Sequence, residues 1–209
     1  MKMLLTISLP LLLTACASPQ AVRIPITFDV TKARAMLKPG NNQIKGNIRL
    51  ELDDGTLISC AGNLVNLVPV TPYAKEWARL FYNLDSGRYG TLNAAYRMST
   101  REKPIQFAGA QAFYATTRST HCDADGDFEF PNVGNGNFFV IAKVEWLGKD
   151  HNYYDFLYGT SNAEEDDGSV MIQTRLDGND VANLQWQPRV PDLLGDEGLA
   201  GGRQNPPSR

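Results

Sequence analysis

Apolar and polar residues alternate in short runs along most of the chain, and turn-forming residues end each run. Such alternation is typical of a strand that buries one face. Many short strands separated by turns favour an antiparallel β-sandwich. The predicted strands are residues 44–52, 57–58, 64–68, 111–122, 127–130, 138–146, 170–176 and 181–186.

One helix interrupts the strands, and its capping residues are recognisable. Thr71 can cap it, Pro72 fits the first helical position, and Gly87 ends the helical pattern. We expect its aromatic stripe to cover one edge or face of the sandwich, and the alternative is a surface for a partner. The stripe consists of Tyr73, Trp77, Leu80, Phe81 and Leu84, which recur at helical spacing.

Two other segments carry weaker patterns. Residues 29–37 fit a short helix, because Pro39 and Gly40 end the run. Residues 88–106 are poorly periodic, so we interpret them as a long connection between strands.

The first 15 residues have the pattern of a targeting segment. Lys2 supplies a positive charge, and residues 3–13 are almost entirely apolar but too few to span a bilayer. The run ends in LTAC, which resembles the lipobox of bacterial lipoproteins and places its cysteine at Cys16. The resemblance implies that Cys16 becomes the acylated first residue, palmitate included, and several acyl chains anchor a protein stably. The alternative is an ordinary secretory signal that is cleaved nearby.

The residues after Cys16 predict the location of the protein. Ala17 and Ser18 stand where enteric-type lipoproteins retained in the inner membrane carry an aspartate. We therefore expect a lipid anchor in the outer membrane, with the protein facing the periplasm.

Charge and composition narrow the partners and divide the chain. Loss of residues 1–15 removes Lys2 and changes the formal net charge from −3 to −4, so nucleic acid is not an expected partner. Residues 188–209 are rich in glycine, proline and charge, which is typical of a flexible tail. The predicted division is a signal peptide (1–15), a lipidated lead-in (16–39), a sandwich (40–187) and the tail (188–209).

Two cysteines remain after lipidation of Cys16. In an oxidising periplasm, Cys60 and Cys122 are most simply interpreted as a disulfide. Two buried free thiols are one alternative, and metal ligation together with His121 and His151 is another. The cysteine and histidine spacings match no zinc motif.

Three alternate aspartates, Asp123, Asp125 and Asp127, raise the question of a calcium loop. An EF-hand counted from Asp123 requires glycine at its sixth position and glutamate at its twelfth, and the chain has Phe128 and Gly134 there. The glycine inside the run, at position 126, suits a tight turn instead. A structural turn is the main interpretation, and calcium is the weaker alternative.

The segment DADGDFEFPNVGNGNFFVIA, which begins at Asp123, resembles the signature of carboxypeptidase regulatory-like domains. The segments PGNNQIKGNIRLELDDG and CAGNLVNLVPVTPYAKEW extend the resemblance upstream. It implies an immunoglobulin-like or transthyretin-like sandwich with one short packed helix, used for adhesion, support or binding. The family carries over no catalytic residue and no cofactor.

The predicted function is non-catalytic, because the chain has no G-x-S-x-G or H-E-x-x-H motif. The main hypothesis is a structural or adaptor lipoprotein that docks an envelope protein through a sheet edge or the aromatic helix. The alternative is a glycan-binding module. The candidate sugar-stacking residues are Trp146, Tyr153, Tyr154 and Tyr158, and the competing interpretation of these rings is core and loop packing.

Overall fold

A computed structural model describes residues 21–51, 55–87, 89–98, 105–147 and 165–187. Its strands form two sheets packed face to face, which confirms the predicted β-sandwich. The elements, in chain order, are α1 Val30–Met36, β1 Asn42–Glu51, β2 Leu57–Ser59, β3 Leu64–Pro69, α2 Pro72–Phe81, a 3-10 helix Leu84–Ser86, β4 Ala94–Met98, α3 Gln111–Tyr114, β5 Arg118–His121, β6 Asp127–Val133, β7 Gly136–Leu147, β8 Glu165–Leu176 and β9 Val181–Trp186.

The five-stranded sheet has the order β4-β8-β7-β3-β5, and all its neighbouring strands are antiparallel. Strands β7 and β8 form its long central hairpin, paired from Gly136 opposite Leu176 to Leu147 opposite Glu165. Strands β4 and β5 are its edges.

The four-stranded sheet is built around β1. Strand β6 pairs with the first part of β1, and β2 pairs with its last three residues. Both lie along the same edge of β1, because the Ile48 N–H donates to the Gly126 carbonyl and the Ile48 carbonyl accepts from Cys60 N–H. Strand β9 lies beside β1 on the other edge and runs parallel to it. The sandwich is therefore antiparallel apart from this pair, whose strands are separated in the chain by the whole five-stranded sheet.

The main core fills the space between the sheets. It alternates along the strands as predicted, so that Phe128 and Phe130 both face inward, 5% and 1% exposed. The fully buried residues of this core include Ile44, Ile48, Leu50, Val65, Leu67, Phe138, Val140, Ala142, Val144 and Val170.

A second core covers the outer face of the five-stranded sheet. Helix α2 lies there with Tyr73 and Trp77 buried, as the aromatic stripe predicts. Thr71 caps the helix by accepting a hydrogen bond from the Ala74 N–H at 3.2 Å. The other buried residues of this layer are Val68, Ala74, Ala78, Tyr82, Ala95, Phe107, Ala110, Phe113, Phe139 and Met171.

Two predictions in this region are wrong. Residues 111–122 were expected as one strand, but Gln111–Tyr114 is a helical turn, and only Arg118–His121 is strand. The turn forms because Phe113 packs into the second core and the Thr116 hydroxyl donates to the Ala112 carbonyl, 2.7 Å away. The predicted connection over residues 88–106 contains β4, which pairs with β8.

The lead-in to the sandwich also packs against it. Asp29 caps the start of helix α1, because its side chain accepts a hydrogen bond from the Lys32 N–H at 2.9 Å. Met36 and Leu37 pack against the main core, and Phe28 packs against the second core. No helix in the described part of the chain is both long and apolar enough to span a bilayer.

Candidate functional site

The aspartate-rich segment forms the turn that carries the chain from β5 to β6. The Asp123 carboxylate accepts hydrogen bonds from the backbone N–H groups of Asp125 and Asp127, both at 2.9 Å. Gly126 has φ +81°, and a Cβ there would lie 2.8 Å from the Cβ of Ser59. A side chain at position 126 would therefore be both strained and crowded.

The carboxylates of Asp123 and Asp127 accept hydrogen bonds from groups within the protein. Across the described ranges, no group of three or more His, Cys, Asp or Glu side chains is placed to hold a metal ion. The contacts within this segment are those of a structural turn, and the calcium alternative stays a prediction.

The disulfide between Cys60 and Cys122 is confirmed. Their Cα atoms are 5.7 Å apart, within the usual range for a disulfide, and both residues are buried in the main core. Cys60 follows β2 and Cys122 follows β5, so the bond joins the two sheets. It leaves neither thiol available for a metal.

The outer face of the four-stranded sheet carries polar side chains in cross-strand register. Residues of β1 that point away from the core lie opposite outward residues of β6 on one side and β9 on the other. We call these six residues the two polar rows. The first row is Asn183, Lys45 and Glu129, and the second row is Gln185, Asn47 and Asp127.

Hydrogen bonds within the protein hold part of these rows in place. The Asn47 side chain donates to the Asp127 carboxylate at 2.6 Å and to the Asp125 carbonyl at 3.0 Å. The Gln43 side chain donates to the Glu129 carboxylate. These contacts restrict the side chains before any ligand binds, which lowers the entropy cost of binding.

A buried asparagine fixes the position of β9 beside β1. Asn42 is 1% exposed, and its amide group donates to the Val133 carbonyl and to the Asn135 side chain, both at 2.9 Å. Its oxygen accepts from the Asp180 N–H at 2.9 Å. Because Val133 belongs to β6 and Asp180 directly precedes β9, the Asn42 side chain aligns β1, β6 and β9 at one end of the sheet. A buried amide with such partners avoids the cost of unpaired polar atoms.

The two polar rows line an open groove of about 530 Å³. The groove continues past β6 to Thr120, His121 and Asp123, so it reaches the edge of the second sheet. Its lining is rich in amide and carboxylate groups, which bind ligands through hydrogen bonds. The geometry is therefore that of a shallow, open and polar groove.

The residues proposed from sequence as sugar-stacking rings do not define this site. Trp146 lies in β7 opposite Asp166, on the hairpin of the other sheet. Tyr153, Tyr154 and Tyr158 lie outside the described residues, as does Cys16. Their roles stay predictions.

The aromatic stripe of α2 faces the core of the protein. Tyr73 and Trp77, which form the centre of the aromatic stripe, are 5% and 6% exposed beneath the helix. The stripe is used in the core, as the main interpretation held. Docking of an envelope protein through a sheet edge or through the helix stays a prediction.

Sequence reasoning missed the two polar rows, although β1 carried a signal for two of their six residues. Gln43, Lys45, Asn47 and Arg49 alternate with the apolar core positions of that strand. The register with β9 has no such local signal, because it joins residues about 140 positions apart.

The fold can be compared with a solved structure. A crystal structure of a candidate carbohydrate-binding protein from Pseudomonas aeruginosa superposes with a TM-score of 0.54 at 16% sequence identity. The match covers 77% of this chain and 97% of that one. At this identity the similarity shows a shared fold. No protein-family model and no curated protein sequence matches the chain.

Proposed function

We propose that the protein is a non-catalytic carbohydrate-binding module that holds its ligand on the outer face of the four-stranded sheet. The observation that carries this proposal is the pair of polar rows, which place six hydrogen-bonding side chains in register along an open groove. The shared fold with a candidate carbohydrate-binding protein supports it.

The chemistry of the rows suits a sugar. Each hydroxyl of a sugar both donates and accepts a hydrogen bond, so it pairs with groups of either kind. The amides of Asn183 and Gln185 offer both roles, the Lys45 ammonium only donates, and the carboxylates of Asp127 and Glu129 only accept. Hydrogen bonds of this kind contribute about 0.5–1.5 kcal/mol each, which makes the expected binding dependent on several of them.

The predicted location of the protein indicates which carbohydrates it would meet. Cys16 would carry the lipid that anchors the module to the outer membrane, where it would face the periplasm. The membrane would then be contacted through the acyl chains alone, and the groove would be presented to envelope carbohydrate.

Affinity electrophoresis of the full chain in detergent tests the function, with gels that contain dextran, galactomannan or hydroxyethylcellulose. We expect at least one polysaccharide to retard the protein. The double variant Asn183→Ala/Gln185→Ala should bind roughly tenfold more weakly, since it removes two hydrogen-bonding groups.

Gln111→Ala is the matched control, because it removes an exposed amide outside the groove, in the helical turn α3 whose Phe113 packs into the second core. It should bind as the natural protein does, and all variants should have the same melting temperature. A ligand whose affinity is unchanged in the double variant would show that the groove is not the site.

A further inference from the structure

The groove carries an excess of negative charge. Its lining includes the carboxylates of Asp123, Asp127 and Glu129, and the ammonium group of Lys45. Three negative charges against one positive charge give a formal balance of −2 with His121 neutral. Single charges on an open surface contribute little affinity, but like charges that meet across an interface lower the affinity.

The carboxylates keep acceptor capacity for a ligand. Asp123 accepts two backbone N–H groups at Oδ1, Asp127 accepts Asn47 at Oδ1, and Glu129 accepts Gln43 at Oε1. Each of these contacts is made to one oxygen of its carboxylate. Since an ionised carboxylate has two oxygens with about four acceptor positions, every one of the three can accept further donors.

The size of the polar surface indicates more than one sugar unit. Three strands at the usual spacing of about 4.8 Å make each row roughly 10 Å long. The rows are two residues apart along the strands, which is roughly 7 Å. This field is wider than a single sugar ring, and the groove is open rather than closed around a chain end. It is therefore suited to consecutive units within a longer chain.

We infer that the groove binds internal segments of a polysaccharide whose units carry hydroxyl, amide or amino groups and no acidic groups. This inference rests on the proposed carbohydrate function and adds the class of its ligand. A uronic acid or sulfated chain would bring its negative groups against Asp127 and Glu129, whereas an amino group would be attracted to them.

Titration calorimetry of the full chain with defined hexasaccharides tests the ligand class. We expect the hexasaccharides of glucosamine and N-acetylglucosamine to bind and the hexasaccharide of mannuronic acid not to bind. The glucosamine disaccharide should bind at least tenfold more weakly than the hexasaccharide, because it occupies only part of the rows. Added salt should weaken only the glucosamine series.

A charge variant separates the role of Glu129 from general effects. Glu129→Gln keeps the size of the side chain and should lower the affinity for the glucosamine hexasaccharide roughly two- to fivefold at low salt, as expected for an exposed ion pair. The affinity for the N-acetylated hexasaccharide should stay the same. Asp85→Asn removes the same charge at an exposed position outside the groove and should change neither affinity.

The possible outcomes test the inferred ligand class separately from the proposed carbohydrate-binding function. If the mannuronate hexasaccharide binds as tightly as the others and is lost in Asn183→Ala/Gln185→Ala, the groove binds carbohydrate and the inferred class is wrong. If the glucosamine disaccharide binds as tightly as the glucosamine hexasaccharide, the site does not bind an internal segment of a longer chain. If none of these sugars and none of the polysaccharides binds, the carbohydrate function itself fails.

Discussion

The two sheets of this sandwich share one core, but their outer faces differ. The centre of the five-stranded sheet is buried on both sides, with Phe138 in the main core and the adjacent Phe139 in the second core, both 0% exposed. The four-stranded sheet is buried on one side only, and alternate residues such as Lys45 and Asn183 are exposed. One sheet is therefore covered by packed side chains on both faces at its centre, whereas the other has an exposed polar face among the described residues.

This difference in burial also explains the hydrophobic patterns of the strands in the two sheets. Strand β7 contains the continuous apolar run FFVIA, because both of its faces need apolar residues. Strand β1 alternates between apolar and polar residues, since only one of its faces is buried. A strand that alternates cleanly is thus the better place to look for a binding surface in this protein.

The largest expected loss of stability comes from truncating a side chain that is buried in the second core. Phe139→Ala should lower the free energy of unfolding by about 3–5 kcal/mol, because it removes a fully buried ring between β7 and the second core. Urea denaturation followed by circular dichroism measures the change.

The matched variant on the open face is Asn183→Ala. Its side chain is exposed, so the stability should change by less than about 0.5 kcal/mol. Equal losses in the two variants would contradict the division into a covered and an open sheet.

A smaller effect is expected at the turns where the chain crosses between the sheets. Gly126 and Gly178 have nearly the same backbone, φ +81° and +82°, but only Gly126 is crowded, by Ser59 and the Ile48 carbonyl. Gly178→Ala should cost about 1 kcal/mol for backbone strain. Gly126→Ala should cost about 2–3 kcal/mol, because overpacking adds to that strain.

Thermal unfolding of these two variants measures how much stability is lost through overpacking and how much through backbone strain. Identical losses would mean that the turn from β5 to β6 is no more tightly packed than the turn from β8 to β9.

The smallest effect concerns a tyrosine of the covered face. The Tyr82 hydroxyl lies 2.8 Å from the Ser169 hydroxyl, and burial raises the pKa of Tyr82 above its usual value. Tyr82→Phe should cost about 1 kcal/mol at neutral pH through loss of this hydrogen bond.

The pH dependence of that cost has a definite sign. The folded protein favours the neutral phenol, so the stability that Tyr82 contributes is complete below the unfolded pKa of about 10 and is lost as the pH rises further. The gap between the natural protein and Tyr82→Phe should therefore narrow above about pH 10. A gap that stays constant into alkali would argue against burial of an uncharged Tyr82.

Much of this fold could be predicted from local patterns. Thr71 and Pro72 mark the start of α2, Gly126 marks the turn before β6, and Cys60 and Cys122 form the expected disulfide. Caps and turns depend on a few neighbouring residues, which is why their signals survive in the sequence.

Strand β4 shows where local patterns fail. Ala95 faces the second core and Tyr96 faces the main core, and both are 1% exposed. Adjacent residues buried on opposite faces leave no alternation to detect. Alanine also has a low preference for strands, so composition gave no second signal.

The sequence by itself determined the class of the fold, because alternation, capping and turn chemistry act over a few residues. Only the tertiary structure decided the candidate site. The parallel pairing of β9 with β1 brings Asn183 and Gln185 beside Lys45 and Asn47, and Asn42 holds the start of that pairing. Such register depends on contacts between distant parts of the chain. The residues of one strand do not indicate which other strand will pair with it.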